Sequence, residues 1–202
     1  MFYRFILIML FIIGAYSLVG IGNFKWMYHK IDNPKADFLV MGNTTSDITV
    51  VEFLNYGCAG CKEINPVIKE LIEIRPDIRY VVRPVVAVED EVITRITNIV
   101  FAAGLQGKFL EMHDAILEYP EAEVPDSFIE ETANLFGLNY TQLLEDAKSE
   151  KVQKITDHNY STFEHAGIYT VPSFVINGKI YSASNEALPT LKELLSLITA
   201  AQ

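Results

Sequence analysis

One stretch of this chain dictates its local architecture before anything else is read. An apolar run from Ile48 to Leu54 leads through Asn55-Tyr56-Gly57 into Cys58-Ala59-Gly60-Cys61 and then into a helical pattern. Along the run, Val50, Glu52 and Leu54 share one face while Thr49, Val51 and Phe53 share the other. Both faces are mostly apolar, which predicts a central strand covered on both sides. Ile64, Val67, Ile68, Leu71 and Ile72 follow at amphipathic spacing, so a helix should begin near Cys58, with a kink at Pro66. Arg79 to Val86 is a further apolar strand. Strand, helix and strand then make a unit whose strands run parallel through a right-handed crossover.

Around this unit, Ile31 to Lys35 reads as a linker, and Phe38 to Met41 as a strand before a Gly42 to Asp47 turn. Residues 88 to 150 change period. Val92, Ile93, Ile96, Ile99, Val100 and Ala103 form a helical stripe ended by Gly104, and Phe109, Leu110, His113, Ile116 and Leu117 form a second. A third helix should start at the capping-box pattern Ser127 to Glu130 and stop near Gly137, with a short fourth from Thr141 to Lys148. A longer helix from about Lys151 to Ala166 is closed by Gly167. Ser173 to Ile176 and Lys179 to Tyr181, joined by Asn177-Gly178, predict a hairpin. A last helix carries Leu188, Leu191, Leu194, Leu195 and Ile198. The expectation is an α/β fold with an inserted helical subdomain.

The first thirty residues are of another kind. They hold Arg4, Lys25 and Lys30 and no acid, so of the chain's 16 basic and 26 acidic groups the remainder keeps 13 and 26, a net −13. That balance argues against nucleic acid as a partner. Phe5 to Ile21 has no charge and follows Arg4 and the terminal amine, the arrangement of an export signal. At about 1.5 Å per residue it reaches about 25 Å, short of a roughly 30 Å hydrocarbon core. Ala15/Ser17 and Gly20/Gly22 offer peptidase-type small pairs, whereas Trp26 and Tyr28 suit an interfacial belt. The segment fits a cleaved signal and a retained membrane anchor alike; a buried core helix is the third reading.

The two cysteines are the only ones among 202 residues. A disulfide closing so short a loop removes little entropy from the unfolded chain, so the pair is a poor staple. Reactivity explains it better. A thiol at a helix start faces unpaired N–H groups and the positive end of the dipole, which favour its thiolate. Cys58 then acts as nucleophile, and Cys61, one turn on and more shielded, resolves the mixed disulfide. A zinc site lacks its further ligands, since no second CxxC or close His pair is present. Haem attachment needs a His where Lys62 stands. Two inert thiols are the remaining alternative. His29, His113, His158 and His165 have no metal spacing and read as packed or surface residues. The acids at Glu89 to Glu91 and Glu121 to Glu123 read as solvated loops.

The run Val50-Val51-Glu52-Phe53-Leu54-Asn55-Tyr56-Gly57-Cys58-Ala59-Gly60-Cys61-Lys62 resembles the active-site segment of DsbA-family thiol:disulfide oxidoreductases. Thr170-Val171-Pro172-Ser173-Phe174-Val175-Ile176-Asn177-Gly178-Lys179 is similar to that family's cis-proline loop and final hairpin, and Gly107-Lys108-Phe109 to His113 to its inserted helices. The likeness covers about residues 37 to 199 and implies a thioredoxin fold. Residues 1–22 would be signal or anchor, 23–36 linker, 37–87 and 151–202 the two parts of the thioredoxin domain, and 88–150 the inserted helical subdomain.

The resemblance also implies roles. Cys58 and Cys61 match the nucleophile and resolving cysteine around the dipeptide Ala59-Gly60. Thr170, Val171 and Pro172 match the substrate-binding loop, where proline alone makes a cis bond cheaply and its missing N–H leaves an edge open to an extended peptide. Glu52 matches the family's buried acid. Strand alternation independently places it on a packed face, where burial should raise its pKa and let it exchange a proton with Cys61.

The implied activity is oxidation of reduced exported proteins in the periplasm, with no cofactor or metal of its own. A quinone-linked DsbB-like membrane oxidase would restore the disulfide, and the N-terminal segment would contact the membrane. Two departures bear on this. Ala59-Gly60 replaces the Pro-His of the best-known oxidases, and Tyr181 to Asn185 lacks the glycine that often follows the hairpin. The alternatives are a disulfide isomerase or reductase of the same fold, and a non-catalytic membrane-anchored chaperone or binding protein.

Overall fold

The computed structural model describes residues 29–86, 90–121, 123–182 and 187–200. The apolar run forms β2 (Thr49–Leu54), which lies inside a five-stranded sheet with β1 (Val40–Gly42), β3 (Arg79–Pro84), β4 (Ser173–Ile176) and β5 (Lys179–Ser182). The order is β1-β3-β2-β4-β5. β2 runs parallel to β3, with Glu52 opposite Val82, and antiparallel to β4, with Glu52 opposite Phe174. Helix α1 (Ala59–Ile74) connects the parallel pair and continues through Pro66. Helices α2 (Glu91–Leu105), α3 (Phe109–Glu118), α4 (Asp126–Leu135), α5 (Tyr140–Asp146) and α6 (Glu150–His165) intervene before β4, and α7 (Leu191–Ala200) closes the chain. This is a thioredoxin-fold α/β architecture with a mixed sheet.

Alternation in β2 decides what each face packs against. Val50 and Leu54 join Cys61, Ile64, Ile68, Leu71, Tyr80, Val82, Leu194 and Ile198 in the larger core, which continues into α2 and α3. Val51 and Phe53 point the other way, into a smaller cluster with Ile31, Val81, Ile168 and Val175. Each fully buried aliphatic or aromatic side chain contributes about 1.5–3 kcal/mol. β2 has only one position, Thr49, that is not buried, in keeping with a strand covered on both sides.

Several expectations need correction. Phe38 is not in a strand: Asp37–Leu39 is a short 3-10 turn. It aims the Phe38 ring at Phe109, at 5.4 Å between centroids, and at Gly104. Gly104 in turn does not end α2, which runs on to Leu105. A Cβ there would lie 2.7 Å from the Phe38 ring, so this glycine serves close packing in the last turn of the helix. Ser127 does not cap α4. The N-cap is Pro125, whose carbonyl accepts from Phe128 and Ile129, so Ser127 already lies within the first turn.

The segment read as a linker is packed where it is described. Ile31 is fully buried, and Arg79 donates to the Asp32 carbonyl at 2.7 Å. Arg83 is fully buried as well, donating to the carbonyls of Lys30 and Ile31 and to Asn159 Oδ1 at 2.9 Å. A buried guanidinium persists when its donors find acceptors, and here two backbone carbonyls and the Asn159 side chain supply them. The apolar segment 5–21 lies outside the described residues; among these, no helix is long and apolar enough to cross a membrane. The predicted hairpin forms, with Asn177 and Gly178 both at positive φ.

Candidate active site

The end of β2 delivers the cysteine pair. Asn55 organises the loop after it: its Oδ1 accepts from the Gly57 N–H at 2.8 Å, its Nδ2 donates to the Val85 carbonyl at 2.9 Å, and its own carbonyl accepts from Cys58 N–H. Tyr56 is anchored sideways by a 2.9 Å hydrogen bond between its hydroxyl and Nδ1 of His113 on α3. Burial pushes His113 down to about 3, so the ring beside the phenol is neutral. Cys58 is thereby held as the N-cap of α1, with Ala59 and Gly60 in the first turn and Cys61 buried behind them.

As an N-cap, Cys58 Sγ accepts from the Cys61 N–H at 3.3 Å. Both cysteines are free thiols. Donation from the Cys61 thiol, with backbone N–H groups of Cys61 and Gly60 adding to it, brings the half-buried Cys58 down to about 6 against the opposing effect of burial. Cys61 moves the opposite way: its proton is committed to Cys58, and burial and the charges of Cys58 and Glu52 hold it well above an ordinary thiol. One sulfur is prepared as a thiolate and the other keeps its proton.

Glu52 lies on the α1 side of β2, 3% exposed. Burial raises it to about 7, opposed by a hydrogen bond from the Tyr80 hydroxyl to Oε2 at 2.7 Å and assisted by the nearby Cys58. A carboxyl group that titrates near neutrality can both give and take a proton.

The Val171–Pro172 peptide bond is cis. Val171 presents its carbonyl 3.5 Å from Cys58 Sγ, while Thr170 is exposed beside it. Gly60 sits against this loop, since a Cβ at that position would be 3.4 Å from both Pro172 and Leu188. A cleft of about 520 Å³ contains Cys58 and is lined by Val86, Ile93, Phe163, Tyr169 and Val171 among others. Tyr169, at its rim, is 86% exposed. The structure thus brings Cys58, Cys61, Glu52, Ala59, Gly60, Thr170, Val171 and Pro172 to one end of the sheet.

Sequence reasoning missed Tyr80 and the Tyr56–His113 pair. Period-two alternation puts Tyr80 and Val82 on one face of β3, but only the register of β3 against β2 turns that face toward Glu52. Among the described residues no group of three or more His, Cys, Asp or Glu is gathered to hold a metal.

The family described as Thioredoxin matches residues 35–199, most of the chain. The chain belongs to this thioredoxin family. Solved structures share its fold. A thioredoxin-like oxidoreductase from Silicibacter pomeroyi is 24% identical, with a TM-score of 0.73 over 85% of this chain and 94% of that one. The thiol-disulfide exchange protein alpha-DsbA2 from Wolbachia pipientis is 19% identical, with a TM-score of 0.77 over 93% of this chain and 98% of that one. DsbA2 of Pseudomonas aeruginosa is 22% identical, with a TM-score of 0.67 over 84% and 97%. Two curated relatives, Na(+)/H(+) antiporters NhaA 1 of Salinispora arenicola and NhaA 3 of Salinispora tropica, are 25% and 23% identical over 72% and 69% of this chain. The chain spans only 22% of the length of each.

Proposed function

We propose that this protein is a DsbA-type thiol:disulfide oxidoreductase that introduces disulfides into exported proteins. The observation that carries the reading is the opposed tuning of the two thiols, one lowered to about 6 and the other raised, above a buried acid. In the oxidised enzyme a substrate thiolate attacks Cys58 Sγ, the Cys58–Cys61 bond breaks, and Cys61 leaves as a thiolate that takes up a proton. A second substrate thiolate then attacks the substrate sulfur of the mixed disulfide and expels Cys58 as its stabilised thiolate. The substrate has lost two electrons and the cysteine pair has gained them.

A lowered nucleophile stabilises the reduced pair, which makes its disulfide the stronger oxidant. The lowered Cys58 thiol supports the oxidising direction over reduction. The cleft beside Cys58 and the Thr170–Pro172 loop would receive an extended substrate segment. Removal of these two electrons, which restores the Cys58–Cys61 disulfide, is assigned to a quinone-linked, DsbB-like membrane oxidase, with the protein in the periplasm and residues 5–21 serving as its signal or inner-membrane anchor. The alpha-DsbA2 and DsbA2 likenesses support the fold on which this rests.

Two measurements test the proposal. Cys58→Ala should abolish oxidation of a reduced, unfolded substrate; unchanged oxidation and substrate capture would assign a binding or chaperone role instead. The Cys58/Cys61 potential should lie toward roughly −120 mV, whereas a value near about −270 mV would assign a reductant.

A further inference from the structure

The groups that bear on Glu52 come from three places: Tyr80 from β3, Tyr56 from the loop after β2, and Cys58 and Cys61 from the start of α1. Of these, Tyr80 alone is hydrogen-bonded to the carboxyl group among the described residues, through its hydroxyl to Oε2 at 2.7 Å. The phenol is fully buried, and burial with the neighbouring Glu52 charge holds it well above its ordinary pKa, so it keeps its proton throughout the working range. It has one proton to donate, and Oε2 is its acceptor.

That allotment decides where the acid proton of Glu52 resides. Were it on Oε2 and donated back to the phenol, the Tyr80 proton would lose its acceptor in a buried site, an unmade bond that costs more than the exchange recovers. With Tyr80 donating, the proton sits on Oε1. We propose that Tyr80 is a positioning residue for proton transfer between Glu52 and Cys61, holding Oε2 by donation so that Oε1 carries the exchangeable proton. The inference rests on the oxidoreductase reading and adds a residue to it. When the Cys58–Cys61 bond breaks, the proton moves from Glu52 Oε1 to the departing Cys61 thiolate. When Cys61 attacks a mixed disulfide at Cys58, the Cys61 proton moves to the Glu52 carboxylate, the Cys58–Cys61 bond forms and the substrate leaves as thiolate.

Donation to Oε2 also stabilises the carboxylate, so removing it leaves burial unopposed. Tyr80→Phe deletes one hydroxyl and keeps the ring in the core. The test follows the carboxyl carbon of Glu52 by NMR across pH 5 to 9 in the reduced protein, together with the rate at which a mixed disulfide with glutathione is resolved. Y80F should raise the Glu52 midpoint by about one pH unit and move the rate profile with it. In an E52Q background, adding Y80F should leave the rate profile where E52Q alone puts it. An active wild type with an unmoved Y80F midpoint, or a Y80F shift that persists in E52Q, overturns the positioning role. A wild type that exchanges no disulfides overturns the oxidoreductase reading, and the NMR titration separates the two failures because it needs no turnover.

Discussion

Glu52 makes stability depend on pH in a way that can be worked out in advance. Its ordinary value is 4.5 and burial in the fold raises it to about 7. Below pH 4.5 the carboxyl is neutral in both the folded and unfolded chain, and the folded state bears no cost. Between about 4.5 and 7 the unfolded chain has lost the proton while the folded one retains it, so stability falls as pH rises. Each pH unit is worth about 1.4 kcal/mol, and the 2.5-unit gap therefore amounts to about 3 kcal/mol by pH 8. Glu52→Gln removes the ionisation, keeps the volume, and leaves a carbonyl oxygen to accept from Tyr80. Urea unfolding of both reduced proteins at a series of pH values gives a difference curve in which the titrating groups that do not interact with Glu52 cancel. The variant should gain on the wild type steadily from pH 4.5 to 7, reaching about 3 kcal/mol at pH 8. Any fixed cost of placing the amide only offsets the curve. A difference curve flat across that window would refute the argument that burial, without a compensating positive charge, governs this carboxyl.

Other outcomes follow from neighbouring contacts. Alkylation of Cys58 in the reduced protein should rise with pH to a midpoint near 6, leaving it about 90% thiolate at pH 7; Cys61→Ala removes the donating thiol and should move the midpoint upward. Arg83→Met removes the donors to the carbonyls of Lys30 and Ile31 and to Asn159 Oδ1, and should cost about 3 kcal/mol or more in urea unfolding. Gly104→Val drives a side chain into the Phe38 ring and should cost about 1–3 kcal/mol, part of it recovered when Phe38 is also cut to Leu.

What was legible in the sequence was local. The β2 alternation, the helix after Cys58, the hairpin at Asn177-Gly178 and the burial of Glu52 depend on periods of two and 3.6 and on turn chemistry, which are properties of adjacent residues. Phe38 and Gly104 mark where such reasoning stops. Phe38 has strand-like neighbours, and Gly104 has the composition of a helix end, yet each is set by the other across 66 positions of chain.

The same division holds at the site. By itself the sequence determined that two cysteines a helical turn apart begin a helix, that an acid lies on a packed face of the strand before them, and that a Val-Pro step precedes the last hairpin. Only the tertiary structure decided that β3 lies beside β2 in the register that brings the Tyr80 hydroxyl to Glu52, and that α3 sends His113 to Tyr56. It also decided that Arg83, on the opposite face, meets the carbonyls of Lys30 and Ile31 and the side chain of Asn159. Hydrophobic periodicity says that a side chain is buried but not against what. A buried hydrogen bond needs its partner within about 3 Å, and that partner is chosen by strand register and helix packing among residues far apart in the chain.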